Sequence, residues 1–321
     1  MNRWRIVKTP KFSRIALAAG LLLLAGCASS RPARPVDPEL SGLSQSGRAA
    51  FERGDYKLAA RFYGMARHRA RVIDDPAEIG TVTYNLAAVR LELGETERAA
   101  ELLREARRAF SRGPGVPVDL PILQARVALL RGRPAEAEEI IAEGTAGGEK
   151  DLEPAVRLQF QLLRARTALA GGDMETARTI LEELRDPVGE MENNLLQADY
   201  ASLSGELLFL EGDYAAAARR FDREAALLFA AARYRGMTRA RERAGRTYFL
   251  AEDFCPAGDR FYRAARSRAA RGESAAALEL LQAALEAAEG CPQEALREEI
   301  FGLLIELEQA LEETPPPAGS E

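Results

Sequence analysis

The chain has 321 residues, 47% of them hydrophobic and 29% charged, an ordinary globular mix with enough apolar material for a sizeable core. It carries a single His (His68), a single Trp (Trp4) and three widely spaced Cys. That inventory excludes multi-histidine metal sites, four-thiolate zinc and iron–sulfur clusters, and leaves His68 to serve alone in any nucleophilic machinery. Neither a phosphate-binding G-x-x-x-x-G-K-[ST] loop nor a G-x-G-x-x-G turn occurs, so no cofactor, metal or small-molecule substrate is expected.

In chain order, residues 1–14 hold five basic side chains (Arg3, Arg5, Lys8, Lys11, Arg14) and no acid, followed by an apolar run from Ile15 to Gly26 and then Cys27. A basic head, a short apolar stretch and small residues before a cut point predict a secretory signal peptide over 1–26, too short to span a bilayer. Leu24-Ala25-Gly26-Cys27 resembles a bacterial lipobox. That resemblance implies cleavage before Cys27, a diacylated Cys27 as the mature N-terminus and, with Ala28 rather than Asp following it, an outer-membrane lipoprotein facing the periplasm. Residues 27–40 read as a tether whose Pro-, Ser- and Arg-rich stretch, residues 28–38, reaches at most about 40 Å. Removal of the signal leaves 39 basic against 49 acidic residues, a net of −10, which argues against a nucleic-acid partner.

The body, residues 41–312, repeats. A small turn recurs at Gly54-Asp55, Gly94-Glu95, Gly132-Arg133, Gly172-Asp173, Gly212-Asp213 and Glu252-Asp253, in steps of 38 or 40 residues. Seven positions before each turn stands a tiny residue (Gly47, Ala87, Ala125, Ala165, Gly205, Gly245). Five positions after it all six copies have Ala (59, 99, 137, 177, 217, 257), and nine positions after it comes a large apolar residue: Tyr63, Leu103, Ile141, Leu181, Phe221, Phe261. The segments between turns have helical periodicity and no strand-like alternation. Small residues in register let two helices approach closely, while the large residue fills the gap to the next hairpin. The prediction is all-α, a succession of antiparallel helix pairs.

This pattern resembles the tetratricopeptide repeat (TPR), with longer helices than the common 34-residue unit, and the resemblance implies that the helix pairs stack into a right-handed superhelical solenoid. Residues 293–312 are expected to form a degenerate seventh, capping unit, and 313–321 a disordered tail. The resemblance implies a concave groove lined by the first helix of each pair, binding an extended peptide or partner protein. The position after each tiny residue is expected to face it, and there the chain places Arg48, Ala88, Arg126, Arg166, Glu206 and Arg246. The four arginines form a candidate basic stripe for a carboxylate-rich segment; ordinary solvated arginines are the alternative.

Cys255 and Cys291 each precede a Pro at a turn entering a second helix, and antiparallel packing brings the two turns together. The pair is a candidate disulfide, or two separate buried thiols. His68, within Arg67-His68-Arg69, reads as solvated. No convergent nucleophile, base and oxyanion group is visible, so catalysis is not expected. The sequence therefore points to a lipid-anchored scaffold that holds a partner in the cell envelope, an assembly factor or pilotin-like protein, or alternatively a regulator of cell-wall hydrolases.

Overall fold

The computed structural model describes residues 37–113 and 115–312. Cys27, the signal segment and residues 313–321 lie outside the described residues. Fourteen α-helices account for the body, with no strand among the described residues. The first three pairs are α1 (Pro38–Glu52) with α2 (Tyr56–Ile73), α3 (Pro76–Glu92) with α4 (Thr96–Ser111), and α5 (Asp119–Leu130) with α6 (Pro134–Thr145). Next come α7 (Pro154–Ala170) with α8 (Met174–Gly189), and α9 (Asn194–Leu210) with α10 (Tyr214–Ala230). The last pairs are α11 (Tyr234–Leu250) with α12 (Phe254–Ala269), and α13 (Ser274–Glu289) with α14 (Glu294–Glu312). The first helix begins at Pro38, earlier than the boundary at residue 41 expected from the Pro-rich composition, because proline is well suited to a first helical turn.

The recurrent turn has a physical cause. At Gly54 the backbone is left-handed (φ 77°), and the next amide, Asp55 N–H, bonds back to the Ala50 carbonyl at 2.9 Å. Glycine tolerates that conformation, and the backward bond satisfies a carbonyl at the helix end. The Asp55 side chain then accepts from Leu58 N–H and caps the following helix; Asp173 and Asp213 do the same for Thr176 and Ala216. One dipeptide thus ends one helix and starts the next. The same turn also joins pairs late in the chain, at Ala232 (φ 56°) and Gly272 (φ 72°). From α7 onward every helix begins 20 residues after the last, so there the unit of repetition is the single helix.

Core packing follows the small–large register. A Cβ on Gly205 would meet the Phe221 ring at 2.6 Å, one on Gly245 the Phe261 ring at 2.9 Å, and one on Gly47 the Tyr63 ring at 3.1 Å. The large residue therefore sits over the small residue of its own hairpin, besides reaching onward as Tyr63 does to Leu86 and Val89. Where the large residue is aromatic the small one is Gly; where it is Leu103, Ile141 or Leu181 the small one is Ala, and all six of these aliphatic-pair residues are buried. Among the described residues no helix is long and apolar enough to cross a membrane.

Within residues 39–312 the solenoid returns on itself. The Arg233 guanidinium lies 5.4 Å from the Phe51 ring centroid, Arg235 lies 5.4 Å from that of Tyr56, and Arg239 reaches Glu92 at 3.6 Å. The start of α11 is thereby fastened to the first hairpin and to the end of α3.

Candidate functional site

The first helices of four successive pairs, α3, α5, α7 and α9, form an inner wall that lines a recess of about 220 Å³. Its apolar floor includes Ile122, Leu123, Leu162 and Leu163; its polar groups are Tyr84, Asp119, Arg126, Gln159, Arg166 and Asp199. Arg126 and Arg166 meet here because they occupy equivalent inner-face positions on α5 and α7. The other two arginines are not part of this surface. Arg246 lines a separate recess with Phe249, Leu250 and Phe261 and is paired to Glu242 at 2.8 Å, and Arg48 is exposed near Tyr63. The expected four-arginine stripe is thus divided, and acidic residues share the part that converges.

Electrostatics set the character of the recess. Arg166 and Asp199 are 3.9 Å apart, the outer limit of an ion pair, whereas Arg126, Asp119 and Gln159 have no hydrogen bond or ion pair among the described residues. The Tyr84 hydroxyl is pushed up to about 12, first by burial and then by the Asp119 carboxylate, so it remains a proton donor at any physiological pH. Beyond Asp199 the polar groups continue to Glu224, whose carboxyl burial pushes up, Asp199 adding to it against the charges of Arg243 and Arg166. Arg243 holds Glu224 at 3.1 Å and lies 4.0 Å over the Phe221 ring. The inner wall therefore offers donors and acceptors of both signs above apolar ground, the make-up of a peptide-binding surface rather than of an anion site.

Tyr84, Asp119, Gln159 and Asp199 were not singled out from the sequence, although their spacing is readable. Four residues before each expected groove position stand Tyr84, Ile122 and Leu162; seven before it stand Asp119, Gln159 and Asp199. One and two helical turns back along the same face put them in the same channel. Cys255 and Cys291 are joined in the structure by a disulfide with the Cα atoms 4.9 Å apart, tying the start of α12 to the turn before α14. His68 is exposed on α2. No cluster of three or more metal-ligating side chains occurs among the described residues.

The tetratricopeptide repeat family matches at residues 80–105, 122–143 and 158–183, which fall on the second, third and fourth hairpins. No curated protein sequence matches the chain. Among solved structures, NprR in complex with its cognate peptide NprX is similar, with a TM-score of 0.59 and 12% identity over 97% of this chain and 91% of that one. A Rap protein complexed with competence and sporulation factor has a TM-score of 0.58 and 16% identity over 86% of this chain and 76% of that one. A STAND signal-transduction ATPase with a TPR sensor, from Pyrococcus horikoshii, has a TM-score of 0.56 and 12% identity over 91% of this chain and 45% of that one. Three segments within residues 80–183 match the tetratricopeptide repeat, and the described residues fold as a TPR-like helical solenoid.

Proposed function

We propose that this protein is a lipid-anchored TPR adaptor of the bacterial cell envelope, tethered through a diacylated Cys27, that binds an extended segment of a partner protein or peptide along its inner helices. The observation that carries the binding role is the recess on α3, α5, α7 and α9, where the polar groups of Tyr84, Asp119, Arg126 and Gln159 stand around an apolar floor with no side-chain hydrogen bond or ion pair among the described residues. An extended peptide presents backbone donors and acceptors that match such groups, and side chains that fit the floor. The complex of NprR with its cognate peptide, on the same fold, lends this reading support. The anchor rests on the order and spacing of the basic head, apolar run and Leu24-Ala25-Gly26-Cys27.

Photo-crosslinking from a reactive residue at position 123, in detergent-solubilised envelopes, tests the binding role. A discrete adduct that disappears in Arg126→Glu and Gln159→Ala is expected; an adduct pattern indifferent to both variants overturns the assignment of the recess. Labelling with radioactive palmitate tests the anchor separately: the wild-type chain should be marked and Cys27→Ser should not, and an unmarked wild type removes the envelope role.

A further inference from the structure

The solenoid carries two unpartnered helix faces of opposite charge. Along α2, Lys57, Arg61, Met65, His68 and Val72 follow one another at three- and four-residue steps on the side away from the core, so they form one stripe. Met65 and Val72 are 56% and 62% exposed, and α2 has five basic side chains and no acid. Along α14, Glu294, Glu298, Phe301, Ile305 and Glu308 form a stripe of the same pitch, with Phe301 and Ile305 51% and 52% exposed. This helix has six acids and one base, Arg297, whose guanidinium is spent on the Ala288 carbonyl at 2.6 Å.

The charges on both stripes are free. Arg67 and Arg71 of α2 are engaged by Glu105, but Lys57 and Arg61 have no ion pair among the described residues, and neither do Glu294, Glu298, Glu299, Glu306 and Glu308. Exposed large apolar residues on a helix face, flanked by uncompensated charge of one sign, suit a helix face that is likewise apolar and carries the opposite sign. The chain itself supplies that helix. An α14 face opposed to another α14 would set carboxylates against carboxylates, so a symmetric pairing of the acidic stripe with itself is disfavoured. In an antiparallel pairing of α14 with α2, Arg61 would fall opposite Glu308, Met65 opposite Ile305 and His68 opposite Phe301, with Val72 beside Glu298 at the far end.

We propose that the protein self-associates, the acidic apolar stripe of α14 in one copy docking on the basic apolar stripe of α2 in another. Such a contact is heterologous, joining unlike surfaces, and it holds copies together at the high local concentration a shared surface would impose. Sedimentation of the full chain in density-matched detergent, from about 1 to about 100 μM, tests it. The average mass is expected to rise above that of one copy with concentration. Ile305→Lys and Arg61→Glu should each weaken association about tenfold or more, and the exchanged pair Arg61→Glu with Glu308→Arg should recover most of the loss. A single copy at every concentration overturns the proposal, as does association that either single substitution leaves unchanged. All three positions are on exposed helix faces, and unaltered helical circular dichroism is the check that the variants fold.

Discussion

Gly205 shows how finely one residue is set. Its helix lies against Phe221 so closely that an added methyl would meet the ring at 2.6 Å and 2.8 Å and the Arg220 Cβ at 3.1 Å. Gly205→Ala brings a better helix former, worth about 1 kcal/mol, into a place that cannot hold it. Overpacking of that kind costs roughly 1–3 kcal/mol, so a net loss is expected. In the preceding hairpin the same two positions hold Ala165 and Leu181, both buried. Phe221→Leu alone leaves a void and removes the ring beneath Arg243. Introduced together, the two substitutions recreate the Ala165–Leu181 arrangement, so their combined loss should fall short of the sum of the single losses by about 1 kcal/mol or more. Chemical denaturation of the four chains in this cycle measures the coupling, and strict additivity would refute the packing account.

At the scale of helices, Glu273 joins three of them. Standing at the turn before α13, it meets Arg235 of α11 at 3.1 Å, Arg268 of α12 at 3.3 Å and Arg271 at 3.2 Å. Burial by itself would push this carboxyl up; the hydrogen bonds from Arg271 and the charges of Arg271, Arg235 and Arg268 outweigh it and hold the group below the usual glutamate range. A carboxylate depressed in the folded state contributes stability that is fully present above its unfolded value and fades as pH falls through its folded one. Glu273→Gln should therefore cost roughly 1–2 kcal/mol near pH 7, and the difference from wild type should close as the medium is acidified below the ordinary glutamate value. Thermal unfolding of both chains across pH 3 to 7 reads this directly; a constant gap would mean that Glu273 acts through packing alone. Such bridges between successive helices leave little trace in a sequence. The turn and the small–large register were legible because they depend on backbone conformation and side-chain volume at fixed local spacing. Gly54, Asp55 and Gly47 speak for themselves in that way. Arg235 and Glu273 are separated by two helices, and nothing near either residue names the other. The groove arginines lie between these cases. Position on the helix was enough to place Arg126 and Arg166 on the inner wall, but whether they met each other depended on the path of the whole solenoid, which set Arg246 elsewhere.

At the scale of the molecule, residues 39–312 close along a seam of three contacts. Phe51, Tyr56 and Glu92 belong to the first two hairpins; Arg233, Arg235 and Arg239 belong to the turn before α11 and its first turns. A second recess of about 290 Å³ lies along this seam, lined from one side by Phe51, Arg53 and Tyr56 and from the other by Arg233, Tyr234 and Arg271. Each contact is modest. An exposed cation over a ring contributes about 0.5–1 kcal/mol, and the Arg239–Glu92 pair, with Arg239 largely in water, contributes less. Packing within and between neighbouring hairpins is far more extensive, so the seam is the weakest of these joins. Removing two of its three contacts should release it without unfolding any helix. Arg233→Ala combined with Arg239→Ala is expected to leave helical circular dichroism unchanged while the radius of gyration from small-angle scattering increases. The recess on α3, α5, α7 and α9 lies between the two parts that the seam joins. A ligand held there by all four helices would favour the closed curvature, and by linkage should reverse part of the expansion in the double variant. An unchanged radius in that variant would mean that curvature is set wholly by the hairpin packing and that the three contacts merely accompany it.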